Sequence, residues 1–161
     1  MSQIRTAIVD DAELIARQRR RMFVDAGQAE DVRMGAMEAA FVPWVRSRLE
    51  NGTYLGWLAS EQDRVIAGAG MWLMDFPPHF LNAQPLRAYL LNFFVDPEFR
   101  GRGLARSLLE AALAEARRRE IEVVTLHASK FGRPLYEETG FLPTNEMMLL
   151  APGSTPDRTR A

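Results

Sequence analysis

The sequence predicts a mixed α/β (α+β) fold, with one sheet of six to seven strands flanked by about four helices. Three observations carry this. Short apolar segments of strand length alternate with helical patterns along the chain. Leu86 to Val95 is apolar at most positions, as suits a strand in the middle of a sheet covered on both faces. A glycine–arginine turn then stands directly between that strand and an amphipathic helix.

The elements follow in order. Ile4 to Val9 reads as a strand. Asp10 with Glu13 three residues later makes an aspartate version of a capping box, opening a helix to about Phe23. Leu14, Ile15, Gln18 and Met22 share its inner face, and the run Arg17, Arg19, Arg20 and Arg21 reads as a solvated face. Gly27 breaks the pattern. A second helix covers about Val32 to Leu49, with Met34, Met37, Phe41, Val45 and Leu49 on one side. Pro43 removes a backbone donor there, so a kink or break is expected near it. Tyr54 to Ala59 and Val65 to Met74 form an antiparallel hairpin around a turn at Glu61 to Arg64. Gly68 and Gly70 in its second strand mark a close backbone approach. Asp75 to His79 is a loop, and Leu86 to Val95 is the third strong strand.

After Asp96-Pro97-Glu98 and the glycine turn, a helix runs to about Arg119. Its buried stripe is Leu104, Ala105, Leu108, Leu109, Ala112 and Ala116. Ile121 to Ala128 is a strand, Arg133 to Glu138 a short helix ended by Gly140, and Phe141 to Leu150 a last strand. Residues 151–161 are polar, carry two prolines and read as a flexible tail behind one domain over residues 1–150.

Composition removes several function classes. The 20 basic and 21 acidic residues nearly cancel, which speaks against nucleic acid or an anionic membrane as partner. The chain has no cysteine, so disulfides, thiolate metal sites and cysteine nucleophiles are excluded. Two histidines far apart, His79 and His127, do not suggest a metal site. The start MSQIRTAIVDD has no apolar signal region, and no uncharged run approaches the roughly 20 residues of a membrane span, so a cytoplasmic protein is expected.

The chemistry concentrates at the strand–turn–helix unit. A helix start presents unpaired N–H groups and a partial positive charge. Glycines let a phosphate approach that backbone, and Arg100, Arg102 and Arg106 add fixed charge beside it. The unit suits a pyrophosphate. It is not a Walker loop, which needs lysine followed by serine or threonine, nor a dinucleotide fingerprint, which needs three spaced glycines.

Arg100-Gly101-Arg102-Gly103-Leu104-Ala105 matches the R/Q-x-x-G-x-G/A signature of the GCN5-related N-acetyltransferase superfamily. The preceding Asp-Pro-Glu-Phe resembles that family's lead-in. About 30 residues on, Leu135-Tyr136-Glu137-Glu138-Thr139-Gly140-Phe141 resembles its LYE-x-x-GF element. The resemblance is sharp from about Leu90 to Phe141. It implies the family's fold, with a mixed, mostly antiparallel central sheet, and acetyl-CoA as acyl donor. Residues 1–150 would then be the acetyltransferase domain. The pantetheine arm would pair with Phe93, Phe94 and Val95, where a backbone N–H also polarises the thioester carbonyl. The pyrophosphate would sit on Gly101, Arg102, Gly103, Leu104, Ala105 and Arg106, with Arg100 beside them. Tyr136 would be the general acid that protonates the leaving thiolate.

The pattern departs from the family in two places. An asparagine often found seven residues before the tyrosine is replaced by Ser129, which can still hydrogen-bond but has a shorter reach. Neither Leu86 to Val95 nor Val123 to Ala128 carries an acid that could serve as general base. The proton acceptor is then His127, Glu98 or a water chain. Asn92, polar within an apolar strand, either binds the acceptor or satisfies a bulge. Phe76 and His79 are candidates to line the acceptor site, with Phe23, Met34, Met37 and Phe80 near them in the same loops and helices. The function implied is transfer of an acetyl group to a primary amine of a small molecule or peptide, by direct attack in a ternary complex. The alternative is a non-catalytic acyl-CoA sensor on the same scaffold. A two-fold dimer through an edge strand or the C-terminal strand is compatible with the sequence.

Overall fold

A computed structural model describes residues 2–150. They fall into two compact units, one ending at Ser129 and one beginning at Lys130. The first contains β1 (Gln3–Thr6), α1 (Ala12–Asp25), α2 (Val32–Glu50), β2 (Tyr54–Glu61), β3 (Arg64–Asp75), β4 (Leu86–Val95), α3 (Leu104–Arg118) and β5 (Val124–Leu126). Its sheet has the order β1-β2-β3-β4-β5. The first three pairings are antiparallel and β4–β5 is parallel. A parallel neighbour needs a crossover, and α3 supplies it.

Strand alternation divides the side chains between two layers. On one face Tyr54 and Leu58 of β2 pack with Ala12, Ile15 and Ala16 of α1 and with Phe41 and Val45 of α2. The two strand glycines lie on this face. A Cβ on Gly68 would come within 2.2 Å of the Gln18 carboxamide, and one on Gly70 within 2.0 Å of the Tyr54 hydroxyl. The close approach expected at both is therefore real. Helix α3 packs against β2, β3 and β4. It buries Leu104, Leu108, Leu109, Ala112 and Ala116, the predicted stripe except for Ala105, which is only half-buried. Leu108 and Leu109 are almost fully enclosed, and each contributes about 1.5–3 kcal/mol of burial.

The entry to α1 differs from expectation by one residue. Asp10 forms no capping box with Glu13. Instead the Asp11 carboxylate accepts the Ile8 N–H at 2.8 Å and both terminal nitrogens of Arg5 at 2.7 and 2.8 Å. A 3-10 turn at Val9–Asp11 brings Asp11 back over the chain, which Asp10 cannot do. Helix α2 runs unbroken through Pro43, with Phe41 and Val45 on either side of it anchored in the core. Its start is capped by Asp31, which accepts the Arg33 N–H at 2.9 Å.

The second unit holds α4 (Arg133–Glu138). The strand expected over Phe141 to Leu150 does not form, so the sheet has five strands rather than six or seven. Pro143 and Asn145 interrupt the apolar run, and Met147 and Leu149 are each 98% exposed. The expected tail, residues 151–161, lies outside the described residues.

Candidate functional site

The end of β4 is distorted where its sequence turns polar. Asn92 has φ +59, a left-handed conformation tolerated by asparagine better than by most residues. The β3–β4 register slips at the same point, from Gly68 opposite Phe94 to Gly70 opposite Leu91. This leaves Ala69 facing two residues, the definition of a bulge. On the other edge, pairing with β5 stops at Leu90 opposite Leu126. Phe93, Phe94 and Val95 thus stand beyond the last paired residue of β5.

Asn92 is 3% exposed, and both ends of its amide are satisfied. Nδ2 donates to Tyr54 Oη at 2.9 Å, and Oδ1 accepts from Arg19 Nη1 at 2.7 Å. Burial pushes the Tyr54 phenol up to about 12, against the Asn92 hydrogen bond and the Arg19 charge. Of the two readings of Asn92, the bulge describes its geometry.

Arg19 departs from the solvated face expected of its run. Its guanidinium lies 4.8 Å from the Phe23 ring centre and 4.9 Å from that of Phe41. Its Nε is buried without a hydrogen-bond partner among the described residues. Burial lowers its pKa, only partly offset by the Tyr54 and Tyr89 phenols. The neighbouring arginines are paired: Arg20 with Glu30 and Glu38, Arg21 with the buried Asp96. Arg19, Tyr54 and Tyr89 were not among the sequence candidates. The available signal was spacing, since Arg19 lies four residues from both Ile15 and Phe23 and so shares their helix face.

Beyond β4, Pro97–Phe99 form a single 3-10 turn, and the chain enters α3 through two left-handed glycines. Gly101 has φ +74 and Gly103 has φ +78. A Cβ at either would meet nothing within 4 Å, so packing does not demand glycine there; the backbone conformation does. Gly103 is the N-cap of α3 and has no side chain to satisfy the first N–H groups. Arg100 donates to the Val95 carbonyl at 3.1 Å and pairs with Asp25. Arg102 donates to the Glu98 carbonyl at 3.3 Å, with its guanidinium 4.8 Å from the Phe99 ring centre. Leu104 is buried under the turn, Ala105 is half-buried and Arg106 is exposed. Open space at two left-handed glycines, an uncapped helix start and flanking guanidiniums fit a polyanion.

His127 follows β5, exposed, with Nδ1 2.5 Å from Tyr89 Oη. Tyr89 belongs to a row in register across the sheet, Tyr54–Trp72–Tyr89–Thr125. Trp72 packs edge-on to Tyr89 at 6.5 Å. Ser129 closes the first unit and is exposed. Glu98 is exposed and 3.4 Å from Arg64. Phe76 is covered by the Arg87 guanidinium at 3.6 Å. His79 is exposed and bridges to the buried Asn82, its ring 4.4 Å from that of Phe80.

In the second unit, α4 ends in a Schellman motif. Gly140 has φ +99. The Phe141 N–H reaches the Tyr136 carbonyl at 3.0 Å, and the Gly140 N–H reaches Glu137 at 3.0 Å. The Phe141 ring then packs edge-on to Tyr136 at 5.8 Å. This gives a physical reason for the glycine–phenylalanine pair that ends the sequence element: it closes the helix and packs the tyrosine. Burial pushes the Tyr136 phenol up to about 12, so it keeps its proton at neutral pH.

Residues 10–141 match the family model described as the acetyltransferase (GNAT) family. A ribosomal protein bS18-alanine N-acetyltransferase of Haemophilus ducreyi is 32% identical over 110 residues, covering 64% of this chain and 68% of that protein. The crystal structure of a GCN5-related N-acetyltransferase from Ralstonia eutropha JMP134 superposes with a TM-score of 0.90 at 38% identity, over 95% of this chain and all of that one. A predicted acetyltransferase from Clostridium acetobutylicum, solved with acetyl-CoA, gives 0.87 at 31% identity, over 94% and 96% of the two chains.

Proposed function

The chain belongs to the acetyltransferase (GNAT) family, and on that premise we propose that it moves the acetyl group of acetyl-CoA to a primary amine of a small molecule or peptide, by direct attack in a ternary complex. The observation that carries the reading is the open double-glycine turn at the uncapped start of α3, which follows the stretch of β4 beyond Leu90, the last residue in register with β5.

Acetyl-CoA supplies an activated thioester and a thiol leaving group. The chain's own part divides by element. Amides from Gly101 to Arg106 would hold the diphosphate, with Arg100 and Arg102 beside them. The backbone of Phe93, Phe94 and Val95, past the last residue paired with β5, would accept the pantetheine arm and donate to the thioester oxygen. Ser129 would contact the cofactor with its short hydroxyl. The acid role of Tyr136 is carried by its motif and supported by a phenol that starts protonated. His127, already bonded to Tyr89, would take the proton of the amine, with Glu98 or a water chain as the other candidates. With no cysteine in the chain, a thiol acyl carrier plays no part.

The reading is tested by thermal shift with acetyl-CoA and by free-thiol release over an amine panel. Acetyl-CoA raises Tm, and Arg102→Glu weakens that rise. No shift at millimolar acetyl-CoA sinks the proposal.

A further inference from the structure

We propose that Arg19 is a recognition site for a carboxylate on the acceptor, so that the preferred acceptor is a small amine bearing a free carboxylate only a few bonds from its nitrogen, as in an amino acid. The inference deepens the acetyl-transfer reading and rests on it for the position of the reacting amine.

The first argument is charge. A guanidinium largely withdrawn from water is normally paired, because desolvating it is costly; Arg19 is half-buried, with its Nε enclosed. Among the described residues, no carboxylate lies within ion-pair distance of Arg19. Its only hydrogen bond to a described residue goes to the neutral carbonyl oxygen of Asn92, and its Nε is buried with no partner among the described residues. The contrast lies within one turn of helix: Arg20 has two glutamates and Arg21 has Asp96. Nη2 of Arg19 makes no hydrogen bond to a described residue, and it is not among the buried unsatisfied atoms. One nitrogen therefore remains available to an incoming anion.

The second argument is shape. Phe23 and Phe41 flank the guanidinium. They satisfy it electrostatically only in part. A methionine or leucine at this position would fill the same space without a charge but would leave the buried Asn92 Oδ1 without its donor; that bond needs a donor, not a cation. Packing alone therefore does not account for arginine. A single cation between aromatic rings suits one carboxylate better than a dianionic phosphate, which would call for more donors than the one left free.

The third argument is place. Arg19 is bonded to the bulge residue itself, and Asn92 directly precedes Phe93. The thioester is assigned to Phe93–Val95 under the proposed function. A carboxylate held by Arg19 thus lies within a few residues' span of the acyl group. This favours an acceptor whose amine and carboxylate are close together, not one with a long spacer between them.

The test uses the whole chain, free amino acids, their carboxamides and 6-aminohexanoate, in wild type, Arg19→Lys and Arg19→Met. Thiol release should show an amino acid favoured over its carboxamide by about tenfold or more in kcat/KM, mostly through KM, as expected for a charge-assisted bond. Arg19→Met should erase that preference, and Arg19→Lys should restore part of it. Without acetyl-CoA, the same amino acid should raise the Tm of wild type and not that of Arg19→Met. Equal use of acid and amide overturns the assignment. So does an equal loss on both in Arg19→Met, which would mark a purely structural role at the bulge. A carboxylate-dependent Tm rise with no thiol release from any acceptor keeps the Arg19 site and removes the acetyl-transfer reading. Brisk transfer with no carboxylate preference keeps that reading and removes the site.

Discussion

The side-chain amide of Asn92 donates a 2.9 Å hydrogen bond to the hydroxyl of Tyr54, a residue buried at the start of β2. Through this contact the bulge in β4 is fastened to the middle of the sheet. Asn92→Ala removes the donor, leaves the Tyr54 hydroxyl buried without it and places alanine at φ +59. A loss of about 1–3 kcal/mol is expected, read as a lower urea midpoint with an unchanged m-value. A midpoint equal to wild type would show that the bulge does not depend on this bond.

The glycines separate packing from backbone conformation. Gly70→Ala would drive a Cβ to 2.0 Å from the Tyr54 hydroxyl. Gly103→Ala meets open space but must hold φ +78, at about 1–2 kcal/mol. Gly70→Ala is therefore expected to lower Tm further than Gly103→Ala. Gly103→Ala is expected to weaken the Tm rise caused by acetyl-CoA. The reverse order of Tm losses would contradict the packing of β3 described above.

Tyr136→Phe keeps the ring against Phe141 and removes only the phenol oxygen. If that oxygen delivers the proton to sulfur, kcat falls by about 10²–10⁴, while the Tm rise with acetyl-CoA persists. A variant with wild-type kcat would assign Tyr136 to packing alone.

Part of the acid sensitivity should reside at the entry to α1, beside that of Asp96 and Glu115, whose carboxyls are also held low. The Arg5 guanidinium, aided by the Ile8 N–H, holds the Asp11 carboxyl below the ordinary carboxylate range against the opposing effect of burial. A depressed folded pKa stabilises the protein above the unfolded value, about 3.9, and that stability is lost as pH falls through the folded one. Asp11→Asn replaces a charged acceptor of Arg5 with a neutral one and is expected to cost about 1–2 kcal/mol at pH 7. The gap to wild type should narrow as pH drops below about 4. A gap independent of pH would mean that the Asp11 charge plays no part.

What the sequence determined by itself is local. Leu104, Leu108, Leu109, Ala112 and Ala116 recur at helical spacing, so α3 and its buried face were legible. The glycines of the turn and the glycine–phenylalanine pair after Tyr136 encode backbone states that few other residues adopt, so they could be read in isolation. Tertiary structure decided whatever joins distant residues. The Asp11 carboxylate, not that of Asp10, turns back across a 3-10 turn to Arg5 and the Ile8 N–H, and it makes no capping bond to the first helix. Residues 141–150 have the apolar content of a strand, yet pairing and not composition makes a strand, and they do not form one. Arg19 looked like one more solvated cation. Its burial depends on Asn92, 73 residues away, and on two phenylalanines. Periodicity records which way a residue faces on its own element; what it meets there is set by chain segments that only folding brings together.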